Sequence, residues 1–342
     1  MNKDFKSILD NIKAATKEDL KPKVLLVDSM NTFLRSFAMI NHMNPQGHHI
    51  GGLTGYLKSI GFAIRHINPT RVILVFDGPG STINKKNLYS EYKGNRHLSR
   101  ITNWEGFEDQ DEESESIVNQ MRRLMYYLQC LPVDVAIMDR LEADDIMGYM
   151  AGKFNGDVTI MSSDKDFLQL VSDRVTVYSP IKKQFYTPKT VKEEFGIWPQ
   201  NFLNMKVLLG DSSDNVPGVK GLGPKKLMKF FPEITESNKL NLEDIIEKSL
   251  NESSKEKGSL YGNVYNFRQQ LNINKQLMDL SDPNLSEKMV EELDSILNNP
   301  NSSLNKKEFL DMYYEDNLGN SIPNVENWLV SIFTYLCTSK KN

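Results

Sequence analysis

Four short, mostly apolar runs stand out along the chain, at 24–27, 72–76, 133–138 and 158–161. Runs of this length without alternation mark strands buried on both faces, as in a parallel sheet. A fifth run at 175–178 follows, and strand signals fade after it. Between the runs, apolar positions recur at three- and four-residue spacing over 53–67, 114–130 and 141–154, which predicts helices. Strand alternating with helix predicts an α/β fold with a parallel sheet and helices on both faces. After about residue 187 the pattern turns helical, over 189–209, 224–231, 242–250, 262–277 and 324–337. Polar stretches at 251–258 and 298–306 read as loops or linkers.

The chain has 342 residues, 39% apolar and 25% charged, which excludes collagen-like, coiled-coil and wholly disordered classes. Cys130 and Cys337 are far apart and lack metal-site spacing, so a disulfide scaffold is not expected and a reducing cytoplasm fits. Residues 1–23 form a charged extension with no apolar segment, unlike a signal peptide. No apolar run reaches membrane-spanning length, so no membrane partner is expected. The net charge of −4 taken alone argues against a nucleic-acid partner. The placement of the charges reverses that inference.

In such a sheet, ligands gather beyond the carboxyl ends of the strands. Asp28 and Asp77 end the first two runs, and Asp164 and Asp166 follow the fourth. Glu142, Asp144 and Asp145 open the helix after the third, with Glu142 and Asp145 on one helical face. Asp211 and Asp214 are also three apart. Taken singly, Asp28, Asp77 and Asp164 read as turn or cap residues, and the acids at 142–145 suit a helix N-terminus by dipole alone. Capping does not require so many acids at one edge. Nine ionised carboxylates held together need cations. An oxygen-only donor set suits Mg²⁺, with Mn²⁺ as a substitute, and two ions clamping a phosphodiester would use so many acids. With those nine set against the net −4, the rest of the chain carries +5, as a polyanion would require.

Cations interleave with aromatics in 81–100, where Lys85, Lys86, Lys93, Arg96 and Arg100 face one acid, Glu91. Lys93 and Arg96, three apart on a helix, can meet one phosphate. A solvated cationic face remains equally open for Lys85 and Lys86. Residues 105–115 carry seven acids and no base, and read as a solvated, mobile loop. The turn at 216–226 contains Gly218, Lys220, Gly221, Gly223, Pro224, Lys225 and Lys226. Its small residues let backbone N–H groups approach a phosphate at a helix start. His42, His48 and His49 read as residues of a solvated loop.

The motifs VLLVD at 24–28, VFDG at 75–78, YKGNR at 92–96, EADD at 142–145, SSDKDF at 162–167 and GDSSDNVPGVKGLGPKK at 210–226 occur in this order. Together they resemble the flap endonuclease family of metal-dependent 5′-nucleases. The stretch at 103–107 and the length resemble its phage branch, the RNase H branch of T-even-type bacteriophages. The resemblance implies a PIN-like nuclease core over 24–206 with an arch near 82–115. It adds a helix–three-turn–helix DNA-binding region over 207–290 and a C-terminal helical region over 291–342. By resemblance, Asp28, Asp77, Glu142, Asp144 and Asp164 serve one ion, and Asp145, Asp166, Asp211 and Asp214 a second, with Asp164 near both. Lys93 and Arg96 would engage the scissile phosphate, and the hairpin at Gly218, Gly221 and Gly223 would hold the DNA backbone and K⁺. A phage single-strand DNA-binding protein would dock on 324–337.

The expected function is Mg²⁺-dependent 5′→3′ hydrolysis of RNA–DNA hybrids and of nicked, gapped or flapped DNA. It would remove RNA primers in phage replication, as a monomer in the host cytoplasm. The alternatives are a PIN-type ribonuclease of single-stranded RNA and a non-catalytic DNA-binding scaffold. A phosphotransferase or NTPase lacks its phosphate loop here.

Overall fold

The structure, a computed structural model, describes residues 21–97, 102–253 and 260–338. Five strands run parallel: β1 (Lys23–Asp28), β2 (Arg71–Phe76), β3 (Asp134–Ile137), β4 (Asp157–Met161) and β5 (Val175–Ser179). Their order is β3–β2–β1–β4–β5, and β6 (Gln184–Tyr186) closes one edge antiparallel to β5. The α/β fold with a mostly parallel sheet, expected from the apolar runs, is what the chain adopts. β6 escaped notice because three residues carry no periodicity.

Successive side chains of a strand point to opposite faces, so each strand feeds two cores. Leu25, Val27, Leu74 and Phe76 face one layer, packed with α2 (Gly51–Ile67) and α4 (Gln110–Gln129). Val24, Leu26, Val75 and Ile160 face the other, against α5 (Ala143–Lys153). Before these come α1 (Ser29–Met39), directly after β1, and α3 (Ile83–Leu88), after β2.

After the sheet, the expected helix over 189–209 is two: α6 (Pro188–Phe195) and α7 (Phe202–Leu209). Gly196 ends α6 in the left-handed region, at φ 73°, and Pro199 follows. The chain continues through α8 (Pro224–Phe230), α9 (Leu242–Ser253), α10 (Leu260–Asn266) and α11 (Arg268–Met278). The expected helix over 262–277 is thus broken too, at Phe267. This region has its own core around Val207, Val216, Leu227, Phe231 and Leu271. Then follow α12 (Glu287–Asn298), α13 (Lys306–Glu315) and α14 (Val325–Thr338).

The apolar stripe of α14 is used inside the fold. Trp328, Leu329, Phe333 and Leu336 join the first core, and Trp328 lies so close to α2 that a Cβ on Gly61 would stand 2.7 Å from its Cζ2. A partner docking on 324–337 would meet the other, more polar side. Among the described residues no helix is long and apolar enough to cross a membrane.

Two expectations need correction. The acidic segment 105–115 is not a mobile loop at its C-terminal half: Asp109 caps α4 by accepting from the N–H groups of Asp111 and Glu112. Acids collect there because a helix N-terminus favours negative charge. Glu113 is buried and accepts from the Thr102 and Asn103 N–H groups, each at 2.8 Å. His49 is likewise not solvated, although His48 is exposed. The His49 ring lies edge-on to Phe37 and Phe107, with Gln120 Nε2 2.9 Å from Nδ1 and Ile40 O 2.8 Å from Nε2.

Burial lowers the His49 pKa from 6.5, against the pull of Ile40 O and Glu113 and aided by His42. The neutral ring is therefore the folded form, with Nδ1 accepting from Gln120. Its contribution to stability is complete above pH 6.5 and is lost as pH falls, because only the unfolded chain readily takes up the proton. Between about pH 7.5 and about pH 5.5, the melting temperature of the wild type is expected to fall further than that of His49→Gln. Equal falls would show that His49 is not the group responsible.

Candidate active site

The carboxyl ends of β1, β2 and β4 and the start of α5 lie along one edge of the sheet, and local bonding aims their acids at a common space. Asp28 caps α1 through the Asn31 N–H and accepts from Ser162 Oγ at 2.8 Å. Asp77 Oδ1 accepts from the Ala143 N–H at 2.8 Å, fixing the start of α5 to the loop after β2. That loop is tight: a Cβ on Gly78 would stand 1.6 Å from Met138 O, so only glycine fits after Asp77. Asp164 Oδ1 accepts from the Asp166 N–H, and Asp211 Oδ1 from the Ser213 N–H. Asp77, Asp164 and Asp211 each fix a loop through Oδ1, whereas Asp28 uses Oδ1 for Asn31 and Oδ2 for Ser162; capping therefore does not exclude a ligand role for the first three.

Three lysines stand between these carboxylates. Lys85 Nζ lies 2.8 Å from Glu142 Oε2 and 3.0 Å from Asp145 Oδ2, and Lys93 Nζ bonds Glu142 Oε1. Lys206 Nζ bridges Asp166 and Asp211, at 2.7 Å from Asp166 Oδ1. The Tyr92 hydroxyl lies 2.8 Å from Glu142 Oε2 and 3.3 Å from Asp214 Oδ2, joining the two halves of the cluster. Lys93 is in the left-handed region at φ 53°, with its N–H donated to Asp214 O.

A cleft of about 400 Å³ opens among Asp164, Asp166, Asp211, Asp214 and Lys206. Behind it, a space of about 10 Å³, room for about one water, is lined by Asp144, Asp166, Asp211, Asp214, Lys85 and Tyr92. Asp164 and Asp77 are electrostatic neighbours of Asp28. Glu142 and Asp145 are taken up by Lys85 and Lys93.

The site holds more negative charge than its lysines offset. Burial raises the Asp28 carboxyl to about 6, opposed by the Ser162 and Asn31 bonds and helped by the charges of Asp164 and Asp77. Burial and the Asp164 charge raise Asp166 to about 6 despite Lys206. Burial likewise pushes up Asp144 and Asp145. Burial opposes the lowering at Glu142, but Lys85 and Lys93 outweigh it and hold the group at about 2. Lys206 and Ser213 do the same for Asp211, also at about 2.

Among the described residues no three acidic, His or Cys side chains already surround one point as a ready metal site. The ammonium groups occupy the gaps between carboxylate pairs. The donor chemistry nonetheless fits divalent cations: oxygen ligands only, unneutralised buried acids, and Ser163 Oγ buried without a partner at the cleft wall.

The cationic residues separate. Lys85, expected to face nucleic acid, turns inward to Glu142 and Asp145. Lys86 is half-buried beside it, while Lys220, Lys225 and Lys226 are exposed. The Arg96 backbone lies in a short 3₁₀ turn, and Arg100 falls outside the described residues. Of the hairpin glycines, Gly218 packs against Leu209 O, whereas Gly221, at φ 81°, and Gly223 have no atom near a would-be Cβ. Close backbone approach by a ligand is therefore open at Gly221 and Gly223 and closed at Gly218. No motif in the sequence singles out Lys206. The one signal for it is a lone cation in the mostly apolar helix α7.

Comparison with known proteins gives a consistent picture. Residues 23–196 match the model of the 5′-3′ exonuclease N-terminal resolvase-like domain, and 197–305 that of the 5′-3′ exonuclease C-terminal SAM fold. A 5′-3′ exonuclease of Bacillus subtilis is 33% identical over 222 residues, 62% of this chain and 70% of the relative. DNA polymerase I of the same bacterium is 30% identical over 246 residues, and there the chain spans only 26% of the relative. The flap endonuclease of bacteriophage T5, solved with DNA and metal ions, superposes with a TM-score of 0.65 at 20% identity, over 81% of this chain and all of that one. Flap endonuclease-1 of Methanococcus jannaschii superposes with a TM-score of 0.54 at 17% identity, over 94% of this chain and 95% of that one. These superpositions show the shared fold.

Proposed function

The chain belongs to the 5′-3′ exonuclease family, whose members are metal-dependent nucleases, and from that premise we propose that it is a Mg²⁺-dependent 5′-nuclease with exonuclease, flap endonuclease and RNase H activities. Its substrates are duplexes with 5′ ends, nicks or flaps and RNA–DNA hybrids. Its role is removal of RNA primers in the replication of a phage. The observation that carries the reading is the under-neutralised carboxylate cluster at the sheet edge, flanked by Lys93 and opening on a cleft.

Asp28, Asp77, Glu142, Asp144 and Asp164 would hold one ion, and Asp145, Asp166, Asp211 and Asp214 a second. Bound there, Mg²⁺ or Mn²⁺ supplies Lewis-acid polarisation of the phosphate and makes an attacking water more acidic. The protein's own groups do the positioning. Lys85 and Lys93 keep Glu142 ionised, and Lys206 keeps Asp211 ionised, so these acids are ready acceptors without first losing protons. Lys93, by moving its ammonium from Glu142 to a phosphate oxygen, and Arg96 would engage the scissile phosphate. Lys220, Lys225, Lys226 and the open backbone at Gly221 and Gly223 hold duplex phosphates, with K⁺ at the same hairpin. Such contacts are sequence-neutral and salt-sensitive. A monomer suffices for this scheme, with a single-strand DNA-binding protein as its partner and the host cytoplasm as its compartment.

The test is an end-labelled 5′-flapped DNA duplex and a 5′-labelled RNA–DNA hybrid, each with Mg²⁺, Mn²⁺ or EDTA. Short 5′ products from both, with either ion and not with EDTA, are expected. Cutting of the flap alone would remove the RNase H activity from the proposal. Binding of both substrates without cleavage in either ion would replace the enzyme by a scaffold.

A further inference from the structure

A cavity of about 480 Å³ lies beside the carboxylate cluster, walled in part by Lys85 and Asp145. Lys85 also lines the small space around Asp144 and Asp166, so its side chain separates the two. Leu88, Leu141 and Leu285 give the cavity apolar faces, and Asn84, Gln276 and Asn284 give it amides. Two exposed charged residues complete it, Arg140 and Asp282.

Arg140 is held in the left-handed region, at φ 61°. Among the described residues seven non-glycine residues have positive φ, and four of them are asparagine, which tolerates that region. An arginine there carries a steric cost that glycine would avoid. The backbone is fixed by its neighbours: the Arg140 N–H donates to Pro79 O at 2.8 Å, and its carbonyl accepts from Asn84 Nδ2 at 2.9 Å. The loops therefore demand the conformation but not the side chain. Among the described residues the guanidinium has no hydrogen-bond or ion-pair partner. A strained backbone beside a reacting centre, bearing an unpartnered cation into a cavity, points to a ligand.

We propose that this cavity is a nucleotide subsite, resting on the nuclease reading above. It takes the base and sugar of the unpaired nucleotide next to the scissile phosphate, and Arg140 binds that nucleotide's 5′-phosphate. The volume suits a nucleoside. The leucines offer faces to any base, and amides both donate and accept, so recognition is tolerant of sequence. The position follows from the shared wall: a strand crossing the carboxylate cluster enters this space on passing Lys85.

The experiment compares full-length wild type, Arg140→Gly and Arg140→Ala on two 5′-flap duplexes with Mg²⁺. One flap has a natural nucleotide immediately 5′ of the cleaved bond, and the other an abasic residue there. The wild type is expected to show about tenfold higher KM on the abasic flap. Both variants are expected to raise KM on the natural flap by about tenfold, with the change falling on KM more than on kcat. Arg140→Gly should melt no lower than the wild type, since it relieves the left-handed strain. Cleavage of the natural flap by the two variants with wild-type KM overturns the subsite, as does equal KM of the wild type for both flaps. Failure of the wild type to cut either flap, with Mg²⁺ or Mn²⁺, overturns the nuclease reading and the subsite together.

Discussion

Asp164→Asn is expected to lower kcat on flapped DNA by roughly 10³-fold, the scale on which removing one electrostatic element of a phosphoryl or acyl transition state is felt. Asp164 is the exposed acid at the centre of the cluster. Its charge is felt by both Asp28 and Asp166, the acids assigned to the two different proposed ions. The same substitution should have an opposite effect on stability. Without divalent ions, removing one of several crowded charges relieves repulsion, so the variant should melt at or above the wild type in EDTA. With saturating Mg²⁺, the wild type should gain more, because an ion bound only by the folded state stabilises it by mass action. Melting curves in EDTA and in Mg²⁺ would check this independently of activity. A variant that loses activity while responding to Mg²⁺ as the wild type does would remove Asp164 from the ion-binding set.

Lys93→Ala is expected to lower kcat by about 10²- to 10³-fold with a smaller change in KM. Its ammonium is anchored on Glu142, over the Tyr92 ring at 5.0 Å from the centroid. A cation held this close needs only a short move from Glu142 to a phosphate oxygen, where it offsets the charge that develops in the transition state. Lys93→Arg keeps the charge but presents a wider, planar group in a position shaped for a point charge. It should therefore recover only part of the rate. If Lys93→Ala raised KM and left kcat intact, Lys93 would be a simple phosphate contact of the ground state.

Much of the arrangement was legible along the chain because it depends on local rules. Buried parallel strands need continuous apolar runs, and the four that were read are β1 to β4 within a residue or two. Acids directly after those runs had to lie at one edge, because parallel strands all end on the same side. The helices α6 and α7 were merged because the apolar period continues across Gly196, while the break is a matter of one residue's φ.

Side-chain pairing was not legible. Lys85 and Lys206 are ordinary cations in the sequence, and only the fold brings them between carboxylates that are 57 and 40 positions away, Glu142 and Asp166. His49 looked solvated because its immediate neighbours are polar, yet Phe37, Phe107 and Gln120 come from three other segments to bury it. The sequence by itself determined the α/β class, the strand ends and which residue types gather there, since these follow from periodicity and chain direction. The tertiary structure alone decided which acids are neutralised by which lysine, which glycines stay open, and where a strained arginine meets a cavity. Those outcomes depend on ångström-scale distances between segments, and the strength of a charge pair or of a steric contact is set by those distances.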